Sequence, residues 1–339
     1  MSRVHDYFQL VRHLTFRRVM NFFLLRVSYH FTKRFKKNYI WGAPMSVSIE
    51  PTTACNLACP ECPSGLKQFT RPTGKLDLKN NEKLLDQLKK TVIYITYYFQ
   101  GEPFLHPQFL ELIKAAKKRK IYTATSTNAH FITKQKAEEI VASGLDRLII
   151  SIDGASQKTY ENYRINGELS KVLEASKLLV EAKRKLKSRT PHLIFQFLVV
   201  KQNENDIPRI YELAKEIGVD EVRLKSAQVY NYKNGNPLIP LNEKYSRYKK
   251  KADGTFVLKN ELTNDCWKMW SSCVFTWDLK VVPCCFDKDA KHVLGDATKQ
   301  PFEQLWKSKT YGHFRSAVLT DRSQIDICRN CSVGTKVWL

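Results

Sequence analysis

The chain predicts an α/β fold: a partial (β/α)6 TIM-like barrel followed by a small, metal-stapled C-terminal domain. Three observations carry this. Six short β-rich runs alternate with helical stretches between residues 46 and 229. The alternation stops at the loop-like stretch Asn231–Pro240. Six of the nine cysteines then fall in the remainder of the chain.

The elements follow in order. Residues 1–45 carry nine basic side chains, from Arg3 and Arg12 to Lys36 and Lys37, against the single acid Asp6. Aromatic and aliphatic residues such as Phe8, Leu14, Phe16, Phe23 and Phe31 interleave with them. The pattern predicts one or two basic amphipathic helices, either packed on the main domain or lying on a membrane surface. The barrel occupies 46–229, with strands at Ser46–Glu50, Val92–Phe99, Tyr122–Ser126, Arg147–Ile152, Leu193–Val200 and Glu221–Ser226. Helices are predicted at 80–90, 107–119, 133–143, 169–187 and 205–217; Gly144 and Gly218 stop two of them. Six units fall short of the eight of a closed barrel, hence an open one. Residues 230–339 hold a linker, a hairpin at Val274–Trp277 and Lys280–Pro283, and a helical stretch near 301–318. The core of that region is thin, so a metal staple is expected.

Composition excludes several classes. With 43% apolar and 12% aromatic residues the chain supports a packed core rather than disorder. Gly and Pro number 13 each, too few for a collagen-like or low-complexity chain. Lys and Arg number 56 against 33 Asp and Glu, a net charge of +23, which favours anionic partners without choosing among nucleic acid, lipid and substrate. The early apolar run Val19–Leu25 is broken by Asn21 and is no secretory signal. A cytoplasmic protein is therefore expected, with peripheral membrane contact through residues 1–45 as an open reading. Cytoplasmic thiols stay reduced, so the cysteines read as metal ligands or reactive groups before disulfides.

Cys55, Cys59 and Cys62 form a C-x3-C-x2-C loop directly after the first strand, where α/β folds place their ligand sites. A structural zinc site and a [4Fe–4S] cluster each normally take four ligands. Three thiolates leave one iron of such a cluster open. This pattern resembles the radical S-adenosylmethionine (SAM) superfamily, and further motifs at strand ends extend the likeness. Gln100-Gly101-Glu102-Pro103 looks like that family's GGEP, with Gln in place of the first Gly. Ser126-Thr127-Asn128 and Ser151-Ile152-Asp153-Gly154, with Arg164 beyond, look like its SAM-binding stretches. The resemblance implies a [4Fe–4S] cluster on the three cysteines and SAM on its open iron. It implies SAM contacts from Gly101, Glu102, Ser126, Asn128, Ser151 and Arg164. It also implies reductive cleavage of SAM to a 5′-deoxyadenosyl radical that abstracts hydrogen from a substrate. Read without it, Asp153-Gly154 is an ordinary turn and Arg164 a solvated charge. Glu61 departs from the family, which often has a bulky residue before the third cysteine.

Cys328-Arg329-Asn330-Cys331 is a C-x2-C knuckle that needs two more ligands, with Cys266, Cys284 and Cys285 as candidates. The run from Cys266 to Cys331 resembles the SPASM/twitch domains of radical SAM enzymes, together with Trp277-Asp278, Gly295, Leu305-Trp306 and Arg315. That resemblance covers about residues 46–335 with the barrel included, and implies one auxiliary [4Fe–4S] cluster on Cys266, Cys284, Cys328 and Cys331. Zinc is the competing metal. Cys273 and Cys285 are left over and read as small hydrophobes. Leu279 stands where the family has Gly in the hairpin turn, so a different turn type is expected. Asp278 and Asp287 are general-base candidates that read more simply as solvated turn residues. The implied partners are an electron donor such as flavodoxin or ferredoxin and a peptide, sugar or other small-molecule substrate. Action on RNA and a basic, Cys-rich nucleic-acid binder remain alternatives; no zinc-finger, RRM or KH signature is present, so no specific nucleic acid is predicted.

Overall fold

The computed structural model describes residues 3–259 and 261–331. The first two residues of the N-terminal segment, and residues 332–339 of the predicted C-terminal domain, lie outside them. All six predicted barrel strands are present: β1 Ser46–Ile49, β2 Tyr94–Thr96, β3 Tyr122–Thr127, β4 Arg147–Ser151, β5 His192–Val199 and β6 Glu221–Ser226. They pair in parallel and in chain order, with Val47 opposite Ile95, Thr125 opposite Leu148 and Phe195 opposite Val222. The fold is the expected partial barrel. β2 is shorter than its apolar run because Tyr97 onward leaves the sheet to form the Gln100–Glu102 turn.

The helices are α1 Arg3–Val11, α2 Phe16–Phe35, α3 Pro63–Leu66, α4 Leu78–Leu88, α5 Phe109–Lys118, α6 Lys134–Ala142, α7 Gln157–Glu161, α8 Leu169–Lys185, α9 Ile207–Ile217, α10 Trp267–Ser271, α11 Phe302–Trp306 and α12 Lys309–Asp321. Those of the barrel present apolar stripes to the sheet: Leu84, Leu85 and Leu88 on α4, Leu112, Ile113 and Ala116 on α5, Ile210, Leu213 and Ala214 on α9. Their ends follow local chemistry. The Asp77 and Thr133 side chains cap α4 and α6 by accepting from backbone N–H groups, and Gly218 ends α9 at a φ of 92°.

The C-terminal hairpin does not stand apart. β9 (Ser272–Phe275), which follows the short pair β7 Tyr248–Lys250 and β8 Phe256–Leu258, lies parallel to β1, with Cys273 opposite Val47. β10 (Lys280–Val282) and β11 (Gly295–Asp296) then continue one nine-stranded sheet in the order β11-β10-β9-β1-β2-β3-β4-β5-β6. The hydrophobic core runs through both regions, from Val47 and Ile95 to Trp270, Trp306 and Cys328. A free parallel edge at β1 offers backbone partners that the small region lacks by itself.

The turn between β9 and β10 departs from expectation. Leu279 takes a φ of 60°, so Leu adopts the left-handed conformation in place of Gly rather than a different turn. Its side chain is buried, which offsets a backbone cost of about 1–2 kcal/mol.

α1 and α2 cross the end of the barrel where its strands begin. Arg18 is buried and donates to the carbonyls of Lys89 at 2.8 Å and Lys120 at 2.5 Å, which end the turns leading into β2 and β3. Asp6 accepts from the Tyr122 hydroxyl and pairs with Arg147. Tyr29 packs on Trp267 and Trp270 of α10.

Candidate functional site

The cysteine loop leaves β1 at its C-terminal end and is tied down by its neighbours. Glu50, fully buried, makes a two-point ion pair with Arg71 at 2.6 and 2.8 Å and accepts from the Trp277 backbone at 3.2 Å. Cys62 opens α3, with Pro63 as its first residue. Gly101 has a φ of 73°, and a Cβ there would lie 2.2 Å from the Thr52 carbonyl. Its N–H donates to Ser64 Oγ at 2.8 Å, and Glu102 N–H to the Ala54 carbonyl at 2.7 Å. The Gln100–Glu102 turn is thus stitched to the loop that carries the three sulfurs.

Around those sulfurs, Arg164 Nη1 lies 3.7 Å from Cys59 Sγ, and Gln100 Oε1 is 3.9 Å from Cys62 Sγ. Arg164 also pairs with the buried Asp153 at 2.5 Å, so it is no solvated charge. Asp153-Gly154 is more than a turn: Asp153 further accepts from Leu198 N–H at 2.7 Å, and a Cβ on Gly154 would lie 2.1 Å from Tyr160 N. Burial pushes the Cys55 thiol up to about 11 and that of Cys59 upward, the latter opposed by Arg164. Metal ligation must therefore expel protons from these thiols.

Glu102 is buried and accepts from Thr127 Oγ1 at 2.7 Å, Asn128 N at 2.7 Å and Phe104 N at 3.2 Å. Burial raises its carboxyl to about 7 against these donors. Its side chain clasps β2 to the end of β3. Asn128 donates to Asn56 Oδ1 at 2.7 Å, bringing it to the cysteine loop. Ser126 and Ser151 are buried at the ends of β3 and β4, and their hydroxyls make no hydrogen bond among the described residues.

One residue went unnoticed in the sequence, and two that were seen there take roles it did not show. Tyr98, exposed on one side, sits just past β2 beside the triad, whose three cysteines act on its hydroxyl. Asp153 anchors Arg164. Glu61, the departure before Cys62, accepts from Tyr230 N at 3.0 Å and from Asn236 Nδ2 at 3.5 Å, clasping the cysteine loop to the linker.

The second group is built differently. Cys266, Cys284, Cys328 and Cys331 line one cavity of about 20 Å³, walled by Met269, Phe286, Phe314, Val318 and Ile327. Arg322, buried, donates to Cys331 Sγ at 2.9 Å and to the Asp265 carbonyl at 3.0 Å. Burial raises the Cys266, Cys284 and Cys328 thiols, the last to about 11. Cys273 lies in the β9 core, and Cys285 is exposed with Lys268 Nζ 3.7 Å from its sulfur. Asp278 binds Thr276 and Lys280 within the turn. Asp287 is buried rather than solvated and staples its loop by accepting from Lys291 and His292 N–H. Neither is placed as a base. Trp306, Arg315 and Gly295 are packing residues: Arg315 lies 4.2 Å over Trp306, and a Cβ on Gly295 would meet Leu305.

One segment bonds the loop of the first site to the region of the second. Lys288 Nζ reaches the Glu61 carbonyl at 3.2 Å, Arg71 Nε the Lys288 carbonyl at 3.3 Å, and Thr70 N the Asp289 carboxylate at 2.9 Å. Among the described residues, no three His, Cys, Asp or Glu side chains are drawn together around a single ion position. The fit to clusters rests instead on the sulfur sets: three at a strand end beside hydroxyls unpaired among the described residues, and four around a small, mostly apolar cavity with a cationic donor.

Residues 49–214 match the family model of the radical SAM superfamily, and residues 266–332 that of an iron–sulfur cluster-binding domain, SPASM. The chain is 29% identical over 199 residues to the PqqA peptide cyclase of Gluconobacter oxydans, covering 58% of this chain and 54% of that protein. The match thus spans about half the length of that relative. It is 25% identical over 317 residues to the tungsten-containing aldehyde ferredoxin oxidoreductase cofactor-modifying protein of Pyrococcus furiosus, covering 84% and 86% of the two chains. SuiB of Streptococcus suis bound to S-adenosylmethionine shares the fold at a TM-score of 0.64 and 17% identity, over 91% of this chain and 77% of that one.

Proposed function

We propose, because this chain belongs to the radical SAM superfamily and carries a SPASM iron–sulfur domain, that it oxidises a peptide or other small-molecule substrate by hydrogen abstraction. The radical SAM domain takes a [4Fe–4S] cluster and S-adenosylmethionine, the SPASM domain an auxiliary iron–sulfur cluster. When bound and reduced by one electron, the first pair supplies a 5′-deoxyadenosyl radical. In our reading Cys55, Cys59 and Cys62 hold the first cluster. Gly101, Glu102, Ser126, Asn128, Ser151 and Arg164 shape the cofactor's seat, Arg164 as the cation for its carboxylate. The substrate would lose one hydrogen atom to the radical, then one proton to water and one electron. Cys266, Cys284, Cys328 and Cys331 would hold the auxiliary cluster, which would supply a one-electron acceptor. The initiating electron comes from a reduced flavodoxin or ferredoxin.

One observation carries this reading. Four sulfurs surround a closed cavity in a region whose strand β9 is hydrogen-bonded to β1, the strand that delivers the other three. A closed, fully ligated centre suits electron transfer better than substrate ligation. A peptide or cofactor-precursor substrate is supported by the names of the similar proteins. The RNA-directed and nucleic-acid-binding alternatives gain no support from these matches.

The test is anaerobic reconstitution followed by iron, sulfide and zinc counts. About eight irons per chain are expected, falling to about four in a Cys55→Ala/Cys59→Ala/Cys62→Ala variant that no longer forms 5′-deoxyadenosine. About four irons with one zinc would remove the electron-accepting role, and zinc without iron would overturn the reading altogether.

A further inference from the structure

The two N-terminal helices are inside out. At about 100° per residue, Arg18, Asn21, Leu25, Ser28, Tyr29 and Thr32 of α2 share one face, and that face is buried. It is mostly polar. Phe16, Val19, Met20, Phe23 and Phe31 share the opposite face, and all are exposed, Phe16 by 79% and Phe23 by 59%. α1 repeats the inversion: Asp6 is buried, while Val4, Tyr7, Phe8 and Val11, spaced as one helical stripe, are exposed. Among the described residues, most of the large apolar side chains that are exposed lie between Val4 and Trp41. A helix that merely packed on the barrel would turn its apolar stripe inward.

The inward polar groups are fixed by the fold, so the outward stripe is no accident of a loose segment. Arg18 caps carbonyls at the barrel floor, and Asn21 binds both the N–H and the carbonyl of Ala43 at 2.8 Å. The charges around the stripe have one sign. Arg17 flanks it on one side and Arg26 and Lys33 on the other, with Arg12, Arg34, Lys36 and Lys37 also exposed. Asp6, the lone acid of the segment, is buried against Arg147, and Lys33 pairs with Asp265.

We propose that α1 and α2 form an in-plane docking face that seats the floor of the barrel on an anionic lipid surface. An apolar stripe rich in aromatic residues, bordered by Arg and Lys, matches the acyl boundary below a layer of negative headgroups. A second copy of this chain is disfavoured, because a two-fold interface would press the same positive charges together. No helix among the described residues is long and apolar enough to cross a membrane, so α2 lies in the interface. The floor is the end where the strands begin, and the cysteine loop leaves the opposite end. A docked protein therefore holds its cysteine site away from the lipid. This inference does not depend on the proposed reaction.

The experiment is flotation of the full-length protein with vesicles of phosphatidylethanolamine and phosphatidylglycerol, and with phosphatidylcholine alone. The protein is expected to float with the anionic vesicles, to float at least tenfold less with phosphatidylcholine, and to be released by salt. A Phe16→Ser/Phe23→Ser/Phe31→Ser variant should lose at least tenfold in bound fraction at unchanged cluster content and melting temperature. Arg17→Gln/Arg26→Gln should lose the preference for anionic lipid, which separates docking from mere stickiness. Failure to float, or equal flotation of the Phe variant, would overturn the proposal. So would a dimer in light scattering that the Phe variant turns into a monomer, since the face would then belong to a second copy.

Discussion

The two cysteine sites solve opposite problems with the same side chain. The first is a loop at the open end of a parallel sheet. Its sulfurs are positioned by backbone approaches that tolerate no Cβ, and Ser126 and Ser151 at neighbouring strand ends keep hydroxyls without hydrogen-bond partners among the described residues. The second is an enclosed cavity walled by Met, Phe, Val and Ile, with Arg322 donating straight to sulfur. One arrangement brings three sulfurs to a strand end, and the other sets four around a small cavity. The difference teaches that ligand count alone does not define such a site. The first depends on backbone shape, so its weak points are glycines. The second depends on packing and charge, so its weak points are side chains.

That contrast breaks most sharply at Gly101. A Cβ there lies 2.2 Å from the Thr52 carbonyl at a φ that L residues disfavour, and Thr52 sits in the chain leading to Cys55. Gly101→Ala should pull the Gln100–Glu102 turn off the cysteine loop at a cost of about 2–4 kcal/mol. The expected result is loss of the first cluster's iron and of SAM cleavage, with the second site's iron retained. Equal loss from both sites would show that the two are one cooperative unit rather than two designs.

Much of the first site was legible because its chemistry is local in sequence. Three cysteines within eight residues, after an alternating strand and before a Pro-opened helix, announce a ligand loop. The family resemblance singled out Glu102 and Asn128 near strand ends and Arg164 beyond the fourth strand. What could not be read is how Glu102 is used: its carboxylate faces donors from β3, a pairing visible only once β2 and β3 are neighbours. The β1–β9 pairing was hidden for the same reason, since more than two hundred residues separate Ile49 from Ser272. Leu279 was misjudged because propensity ranks the backbone conformation but not the burial that outweighs it. The outward apolar stripe of α2 was equally invisible: periodicity finds a face but not the direction in which it points.

The second site should respond to charge before it responds to shape. Arg322→Gln keeps a donor near Cys331 and removes the cation, while the cavity walls stay in place. The expected outcome is an unchanged iron count with a more negative reduction potential for the auxiliary cluster, read by anaerobic redox titration. A corresponding loss of a cation at the first site, Arg164→Gln, should instead weaken SAM binding if, as proposed, that charge pairs with the SAM carboxylate. Should Arg322→Gln leave the potential unmoved, the guanidinium would be a packing group and the comparison would lose its electrostatic half.

The smallest effect concerns protons. Burial raises Glu102 to about 7 in the folded chain, against an ordinary value near 4.5. The folded state then binds this proton more tightly than the unfolded one. Its contribution to stability is complete below the unfolded value and is lost as pH rises through about 7. The slope is at most about 1.4 kcal/mol per pH unit, and the total comes to no more than about 3.5 kcal/mol. Glu102→Gln mimics the protonated acid and should flatten this dependence. Melting temperatures of the two proteins should therefore converge near pH 5 and separate by pH 8, with the variant the more stable at the alkaline end. The reverse order would mean that the donors from Thr127, Asn128 and Phe104 hold a carboxylate and win against burial. The clasp between β2 and β3 would then be ionic, and the first site would share the second's reliance on charge.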